Sequence, residues 1–420
     1  MTSKNGVLSE PIALYAGVRT AIGKLGGMFS GIEPHQLLAS SLTGTLIRSL
    51  SPNASTPEEV EEARLALQNA IPDFDEALIG NVRNSIGNIA RVGVLEAGLS
   101  LSTPAITVDR QCASSLECVA LAGGKLLSGQ ANRVLVGGVE SASQAPWLYA
   151  KTSRAYSYFE PAPFRIRMAA EHTGDPTMGE TAELLADDYG ISRESMDSFA
   201  AASHQKAAVA QAGKGFHSEI WGYRGTLRAP LSPSEVADEC VRPDSTPESL
   251  AKLKPVFRPK VGRVTAGNSS PLNDAAVSAI AVRASDLPEA QRPNAIIVHA
   301  ITTVALDPTR MGLGPALAIP RLLEATGLSI DQIDLIEINE AFAGQVLACL
   351  IHLEESGMKV PLEKLNVNGG AIALGHPLGA TGLRLLLTLG NALRQRKLRR
   401  GIASLCVGGG QGMAALIEIE

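Results

Sequence analysis

Val108-Asp109-Arg110-Gln111-Cys112-Ala113-Ser114-Ser115 joins a short apolar run, Ala105–Val108, to a segment with apolar residues at Leu116, Val119, Ala120 and Leu127. The first run suits a strand and the second has helical spacing, so residues 109–111 read as a strand-to-helix turn. A second strand is expected over 133–139, with Gly137-Gly138 inside it and Glu140 after it. The same layout returns near the other end. Residues 365–367 lead into Gly369-Gly370 and a longer loop to His376-Pro377. A leucine-rich helix follows through about Gln395, then a strand at 402–407 that ends in Gly408-Gly409-Gly410. Strand, turn, helix, strand is a βαβ pattern, which usually implies parallel strands with right-handed crossovers. Its presence in both halves suggests an internal duplication within an α/β protein, although any large α/β protein contains several such units.

The bulk properties fit this class. A chain of 420 residues is too long for one small core and should fold as two or three subdomains. Apolar residues make up 45% and charged residues 19%, as in a well-buried globular enzyme. A net charge of −5 gives no electrostatic reason to expect nucleic acid or an anionic membrane as partner. No apolar run is long enough to span a bilayer, and neither end reads as a secretory or peroxisomal address. Cysteines at 112, 118, 240, 349 and 406 form no disulfide framework, and no Cys-x-x-Cys or His-Glu-x-x-His run offers a metal site. A reducing, cytoplasmic setting is expected.

Residues 141–267 have a different texture, rich in aromatics, prolines and charges, and 181–212 reads as helix with a start region at Ser192–Ser195. A long insertion on an α/β core is commonly an active-site cover. The expected division is 1–140, 141–267 and 268–420. Arg154, Tyr156, Tyr158, Phe159, Arg165 and Arg167 lie in the insertion, and Arg165 and Arg167 are candidate ligands for substrate phosphates. A shorter insert at 51–68 reads as surface loop and helix.

Four segments could carry chemistry. Cys112 at a helix N-terminus faces unsatisfied N–H groups and the positive end of the dipole, which favour thiolate. Cys118, six residues further and inside the helix, reads as a buried small hydrophobe. His376 is set among glycines and a proline, where a fixed backbone can aim an imidazole as a base for Cys112. Cys406 precedes Gly408, and the glycines allow backbone N–H groups to approach a ligand as in an oxyanion hole. They lack the Lys-Ser/Thr of a phosphate loop. Asn339-Glu340 follows the strand-like Leu335–Ile338, where open α/β sheets place ligands. Taken alone, the pair also reads as a helix N-cap and first turn.

Together these segments resemble the thiolase family, in the family's order. Gly17–Gly23, Val139-Glu140-Ser141, Met178–Glu183, Thr265–Asn268, Asn273-Asp274 and Met311–Pro315 extend the match over most of the chain. The resemblance implies two half-folds packed face to face in α-β-α-β-α layers, a loop domain over the site, and a homodimer or homotetramer. It implies acyl-coenzyme A and coenzyme A as substrates, with no metal or bound cofactor. It assigns Cys112 as the acyl acceptor, His376 as its base and Cys406 as the acid/base at the α-carbon. Asn339, through a held water, and His376 would form one oxyanion hole, and the N–H groups of Cys112 and Gly408 the other. Ser270 would touch the pantetheine arm, with Met178, Ala266 and Phe342 also lining the substrate site. Ser115, Thr177 and Pro271 depart from residues common in the family. A ketosynthase of the same superfamily would pair its cysteine with two histidines, and Asn339 stands where one is expected. A non-catalytic relative would lose Cys112, His376 or Cys406, and all three are present.

Overall fold

Strand β1 (Val7–Arg19) is buried on both faces, and its side chains alternate between two cores. Ala13 and Tyr15 join a cluster with Leu38 and Leu42 of the helix Pro34–Leu50, while Ile12 and Leu14 join Leu116, Val119, Leu383 and Leu386. This is the two-residue period of a strand covered from both sides. The computed structural model describes residues 6–54, 56–151 and 163–420. After β1 come β2 (Gly23–Lys24), β3 (Glu76–Gly80), β4 (Ala105–Val108), β5 (Val134–Ser141), β6 (Tyr223–Arg224) and β7 (Ser232–Pro233). The chain continues with β8 (Asn273–Arg283), β9 (Ile296–Ala305), β10 (Leu335–Ile338), β11 (Arg400–Val407) and β12 (Gln411–Glu418).

Hydrogen bonding runs in the order β10-β11-β12-β9-β1-β8-β5-β3-β4, with β2 paired to β8 and β6–β7 separate. The expected half-folds are present, but β1–β9 pairing joins their sheets into one. The helices Ser114–Leu127 and Leu378–Arg396 lie between the halves, sharing a core with residues of both, such as Val136 and Ala279 on one side and Leu405 and Met413 on the other. Outer helices cover the far faces: Pro34–Leu50 on one half, Gly314–Thr326 and Ala343–Glu355 on the other. The layers are therefore α-β-α-β-α.

Three sequence expectations change. The sheet is mixed: only β3–β4, β3–β5 and β10–β11 are parallel. The other pairs are antiparallel; between β11 and β12 the three glycines are too short a connection for a crossover. Residues 365–367 are not a strand. Leu365 makes a single bridge to Ile336, and Asn366 turns to φ +43° while its side chain bonds both Ile338 backbone groups at 2.9 Å. The helix over 181–212 is two helices, Met178–Asp188 and Arg193–Ala212, parted at Gly190 (φ +60°) and restarted by the Ser192 cap on Ser195 N.

Buried Arg19 ties the insertion to β1. Its guanidinium binds Asp238 at 2.7 and 2.9 Å and Glu219 at 2.7 Å. Three further contacts fix the halves to each other. A Cβ on Gly138 of β5 would stand 2.1 Å from the carbonyl oxygen of Gly379, in the first turn of Leu378–Arg396. A Cβ on Gly80 of β3 would meet Ser115 N at 2.6 Å and Gly379 O at 2.8 Å. A Cβ on Gly382 would meet Leu116 N at 2.6 Å. The helix after His376 thus lies backbone to backbone on the strand ends and on the helix after Cys112. The Gly138→Ala chain should lose about 3 kcal/mol or more, since a backbone oxygen cannot give way as a side chain can. Gly124→Ala, with open space at its helical Cβ position, should be neutral or up to about 1 kcal/mol stabilising. Thermal melts of the two variants check this; equal melting temperatures would contradict it.

Candidate active site

The turn that presents Cys112 is conformationally costly. Gln111 has φ +46°, unusual for a residue with a side chain, and its N–H is held by Asp109 Oδ1 at 2.7 Å. Ser114 Oγ accepts from Arg110 N at 2.9 Å and donates to Gln111 O at 2.7 Å, closing the turn from the other side. A short 3-10 turn, Gln111–Ala113, then passes into Ser114–Leu127. Gly408 faces this turn, where a Cβ on it would stand 3.6 Å from Gln111 Cγ, and the backbone N–H groups of Gly408 and Cys112 act on the Cys112 thiol. Both favour the thiolate, but burial outweighs them, and with Glu140 and Asp109 nearby the thiol is pushed up to about 11. The helix N-terminus therefore does not ionise the thiol in the free protein, contrary to the reading from sequence. Cys118 is fully buried, as expected.

His376 is buried, with its backbone N–H on Asn273 Oδ1 at 2.9 Å. Its Nδ1 lies 2.7 Å from Thr381 Oγ1, and that hydroxyl donates its single hydrogen to Pro377 O at 2.9 Å. Thr381 must therefore accept, Nδ1 carries the proton, and Nε2 offers its lone pair. Asn339 Nδ2 donates to Nε2 at 3.3 Å, and Asn339 Oδ1 is buried with no protein partner. Burial, aided by the Arg384 guanidinium, pushes the imidazole down to about 3. The resting pair is thus neutral thiol and neutral imidazole. Asn339 is not a helix cap: that helix starts at Ala343.

Cys406 is fully buried, beside Met311 and Ala341, with Met178 and Phe342 packed against the group. Burial raises its thiol well above the ordinary range, and the next cause is Cys112, which places the two sulfurs in one electrostatic neighbourhood. Gly408 and Gly409 start the hairpin turn after β11, and Met168 of the insertion covers it: a Cβ on Gly409 would meet Met168 O at 2.7 Å. Ser270 N and Oγ both bond Ala341 O, at 3.0 and 3.1 Å, and Ser269 bridges Phe342. Phe257 meets Phe342 edge-on, with centroids 6.4 Å apart. Ala266 is exposed nearby in sequence. Cys112, Cys406, Gly408, Met178, Phe342 and Ser270 therefore belong to one region, and the bonded pair His376–Asn339 sits at the start of the helix that packs on Gly80, Gly138 and Leu116.

Arg165 and Arg167 are differently placed. Arg165 bonds the Asp175 side chain and, at 2.5 Å, the Asp175 carbonyl, while exposed Arg167 pairs with Glu171 at 3.4 Å. Arg154, Tyr156, Tyr158 and Phe159 lie outside the described residues. Thr177 caps Met178–Asp188 through Glu180 N. Ser115 Oγ accepts from Leu383 N at 2.9 Å, so this departure adds a bond between the two central helices.

Sequence reading gave no role to Asn273, Thr381 or Glu140. Glu140 accepts from Gly379 N (2.8 Å), Arg83 N (2.9 Å) and Val82 N (3.2 Å), and burial pushes it up to about 7. Glu140 and Asn273 stood inside segments of the family match, but nothing in one-dimensional spacing links them to Gly379 and His376, each more than a hundred residues away.

The family model described as "Thiolase, N-terminal domain" matches residues 12–285, and "Thiolase, C-terminal domain" matches 291–419. The chain is 37% identical over 419 residues to a beta-ketoadipyl-CoA thiolase of Pseudomonas aeruginosa, covering 98% of this chain and 100% of that one. It is 38% identical over 410 residues to an acetyl-CoA acetyltransferase of the same organism, covering 96% and 98%. The solved human mitochondrial 3-ketoacyl-CoA thiolase in complex with CoA superposes with a TM-score of 0.81 at 32% identity over 100% of both chains. An acetyl-CoA acetyltransferase from Syntrophomonas wolfei superposes with a TM-score of 0.83 at 30% identity, covering 97% and 99%. By its sequence over nearly its whole length, and by its fold, this chain belongs to the thiolase family.

Proposed function

We propose that this thiolase joins two acyl-coenzyme A thioesters, or cleaves a 3-ketoacyl-coenzyme A with coenzyme A, through an acyl group carried on Cys112. The observation that carries the assignment is the approach of Gly408 to the nucleophile turn, which brings its N–H, with that of Cys112, to bear on the Cys112 thiol. Such donors hold the oxygen of a thioester or enolate as charge develops on it, a term worth about 10²–10³ in rate per donor. His376 Nε2 takes the Cys112 proton as the sulfur attacks. The resulting Nε2–H can then donate, with a water on Asn339 Oδ1, to the other substrate's carbonyl oxygen. Cys406, in its dry position beside Met311 and Ala341, gives its proton to the departing coenzyme A sulfur and, as the thiolate, takes the α-proton of the second thioester. Two oxyanion sites suit a reaction in which two different carbonyls become anionic in turn.

Substrates enter as thioesters, and the reading needs no metal or bound organic cofactor. The relatives of about equal identity include beta-ketoadipyl-CoA thiolases, acetyl-CoA acetyltransferases and a 3-ketoacyl-CoA thiolase. The wall of Met178, Phe342 and Phe257 is what would select among their acyl groups. Arg165 and Arg167 would reach coenzyme A phosphates only by leaving Asp175 and Glu171. All five cysteines are free, which fits a reducing cytoplasm, and among the described residues no helix is long and apolar enough to cross a membrane.

Three outcomes are expected. The Cys406→Ala enzyme should exchange α-protons of acetyl-coenzyme A with deuterated water about 10²–10⁴ times more slowly, read by NMR; unchanged exchange would remove Cys406 from that role. Iodoacetamide should alkylate Cys112 first, with a rate that climbs about tenfold per pH unit between about pH 7 and pH 9, because the thiol titrates near 11 and only thiolate reacts. A plateau below about pH 8 would mean that an ion pair with His376 already exists. At the end of the sheet order, β4 presents an unpaired edge with Ile106 46% exposed, beside the nucleophile turn. A second copy should cover it, so light scattering at micromolar concentration should give at least a dimer mass, and a monomer mass would contradict this.

A further inference from the structure

A cavity of about 250 Å³ opens at the opposite end of the Leu378–Arg396 helix from His376. Leu378 and Arg394 are separated by about 24 Å along the helix axis, at 1.5 Å per residue. The cavity is not part of the acyl-transfer site: its lining includes Arg48, Arg394, Gln291, Asn53, Asn294 and Asn391, and no residue named above as catalytic.

Its charge is unbalanced. Arg48 is bound only to carbonyl oxygens, of Gly17 at 3.3 Å, of Ile220 at 3.4 Å and of Ser218. Arg394 bonds Pro293 O at 3.1 Å, Asn391 Oδ1 at 3.3 Å and Ala295 O. Among the described residues neither guanidinium has a carboxylate within ion-pair distance. The nearest acidic influence on Arg48 is Glu219, whose oxygens already serve Arg19 (2.7 Å), Thr388 (3.0 Å) and Asn391 (2.9 Å). Carbonyl dipoles orient a guanidinium without cancelling its charge. Each partly buried guanidinium loses hydration without a counter-charge, a cost that an anion bound in the cavity would relieve. Asparagine side chains add neutral donors, and no acidic residue lines the cavity to oppose an anion.

Gln291 supplies the second observation. Its Nε2 is spent on the carbonyls of Arg48 (3.1 Å) and Ser49 (2.9 Å), while Oε1 is buried without a partner in a residue 2% exposed. A buried acceptor of this kind is rare unless a donor reaches it. We propose that the cavity binds a small oxyanion with an adjacent hydroxyl, the chemistry of a phosphorylated or hydroxylated-carboxylate three-carbon metabolite. Arg48 and Arg394 hold the oxyanion, and Gln291 Oε1 accepts from the hydroxyl. Coenzyme A is far too large for this volume, so the site is separate from the substrate site.

Isothermal titration with glycerol 3-phosphate at fixed ionic strength, on enzyme saturated with coenzyme A to occupy the substrate site, tests the proposal. The expected result is one saturable site per chain, with inorganic phosphate binding more weakly for want of the hydroxyl. Arg394→Gln should weaken binding by roughly tenfold or more, the loss expected for one charge-assisted contact. Asn53→Asp gives a second handle that does not depend on the arginine: Asn53 is exposed, so the fold tolerates the change, and the added charge opposes an anion. Acyl transfer by both variants should match the parent enzyme. No saturable heat in the parent, or equal affinity in both variants, would overturn the site. Equal affinity for phosphate and glycerol 3-phosphate would overturn the role of Gln291.

Discussion

Where Gly80, Gly138 and Gly379 meet, the two halves of the chain touch through backbone atoms with no room for a side-chain carbon. Everything at the site depends on that contact. The nucleophile's helix begins at one side of it and the helix after the base at the other, and Glu140 and Ser115 add hydrogen bonds across the same seam. A side-chain contact would let the two helices drift by the width of a rotamer change. Backbone contact leaves only the freedom of the sheet itself, whose strands β5, β8, β11 and β12 are buried on both faces along nearly their whole length. Reactive groups on different halves can thereby be held to the fraction of an ångström that proton transfer requires.

Inside that frame, burial governs the electrostatics. The fields that would ionise Cys112, its own N–H and that of Gly408, are present and point the right way. They lose to desolvation, as does any charge on His376. Thiol and imidazole wait uncharged, and the donors aimed at the sulfur's surroundings act when a thioester brings an oxygen that can take up negative charge. A site arranged like this reacts slowly with small electrophiles near neutral pH, because little thiolate exists there before substrate binds. The bond from His376 Nδ1 to Thr381 matters for the same reason: it reserves Nε2 as the only base.

Much of this was legible in the sequence. The turn at Cys112, the helix after His376 and the glycine-rich end of β11 all follow from local patterns, since strand-to-helix turns and glycine runs have strong one-dimensional signatures. The layering followed from resemblance and was then met by three stacked apolar clusters. What could not be read was anything that depends on long-range geometry or on net burial. Asn273 reaches His376 across 103 positions, and the join between sheets at β1–β9 has no local mark. The helix-dipole argument for Cys112 was sound as far as it went but contained no term for desolvation. Residues 365–367 were apolar enough for a strand, yet Asn366 bends there to hold both backbone groups of Ile338, a role that only the folded chain reveals.

The account stands or falls on which sulfur carries the acyl group. Rapid acid quench of the enzyme with acetyl-coenzyme A, followed by peptide mapping by mass spectrometry, reads it directly. The acetyl group should be found on the peptide containing Cys112 and be absent from the peptide containing Cys406. An acetyl group on Cys406, or turnover with neither cysteine labelled, would contradict the central assignment.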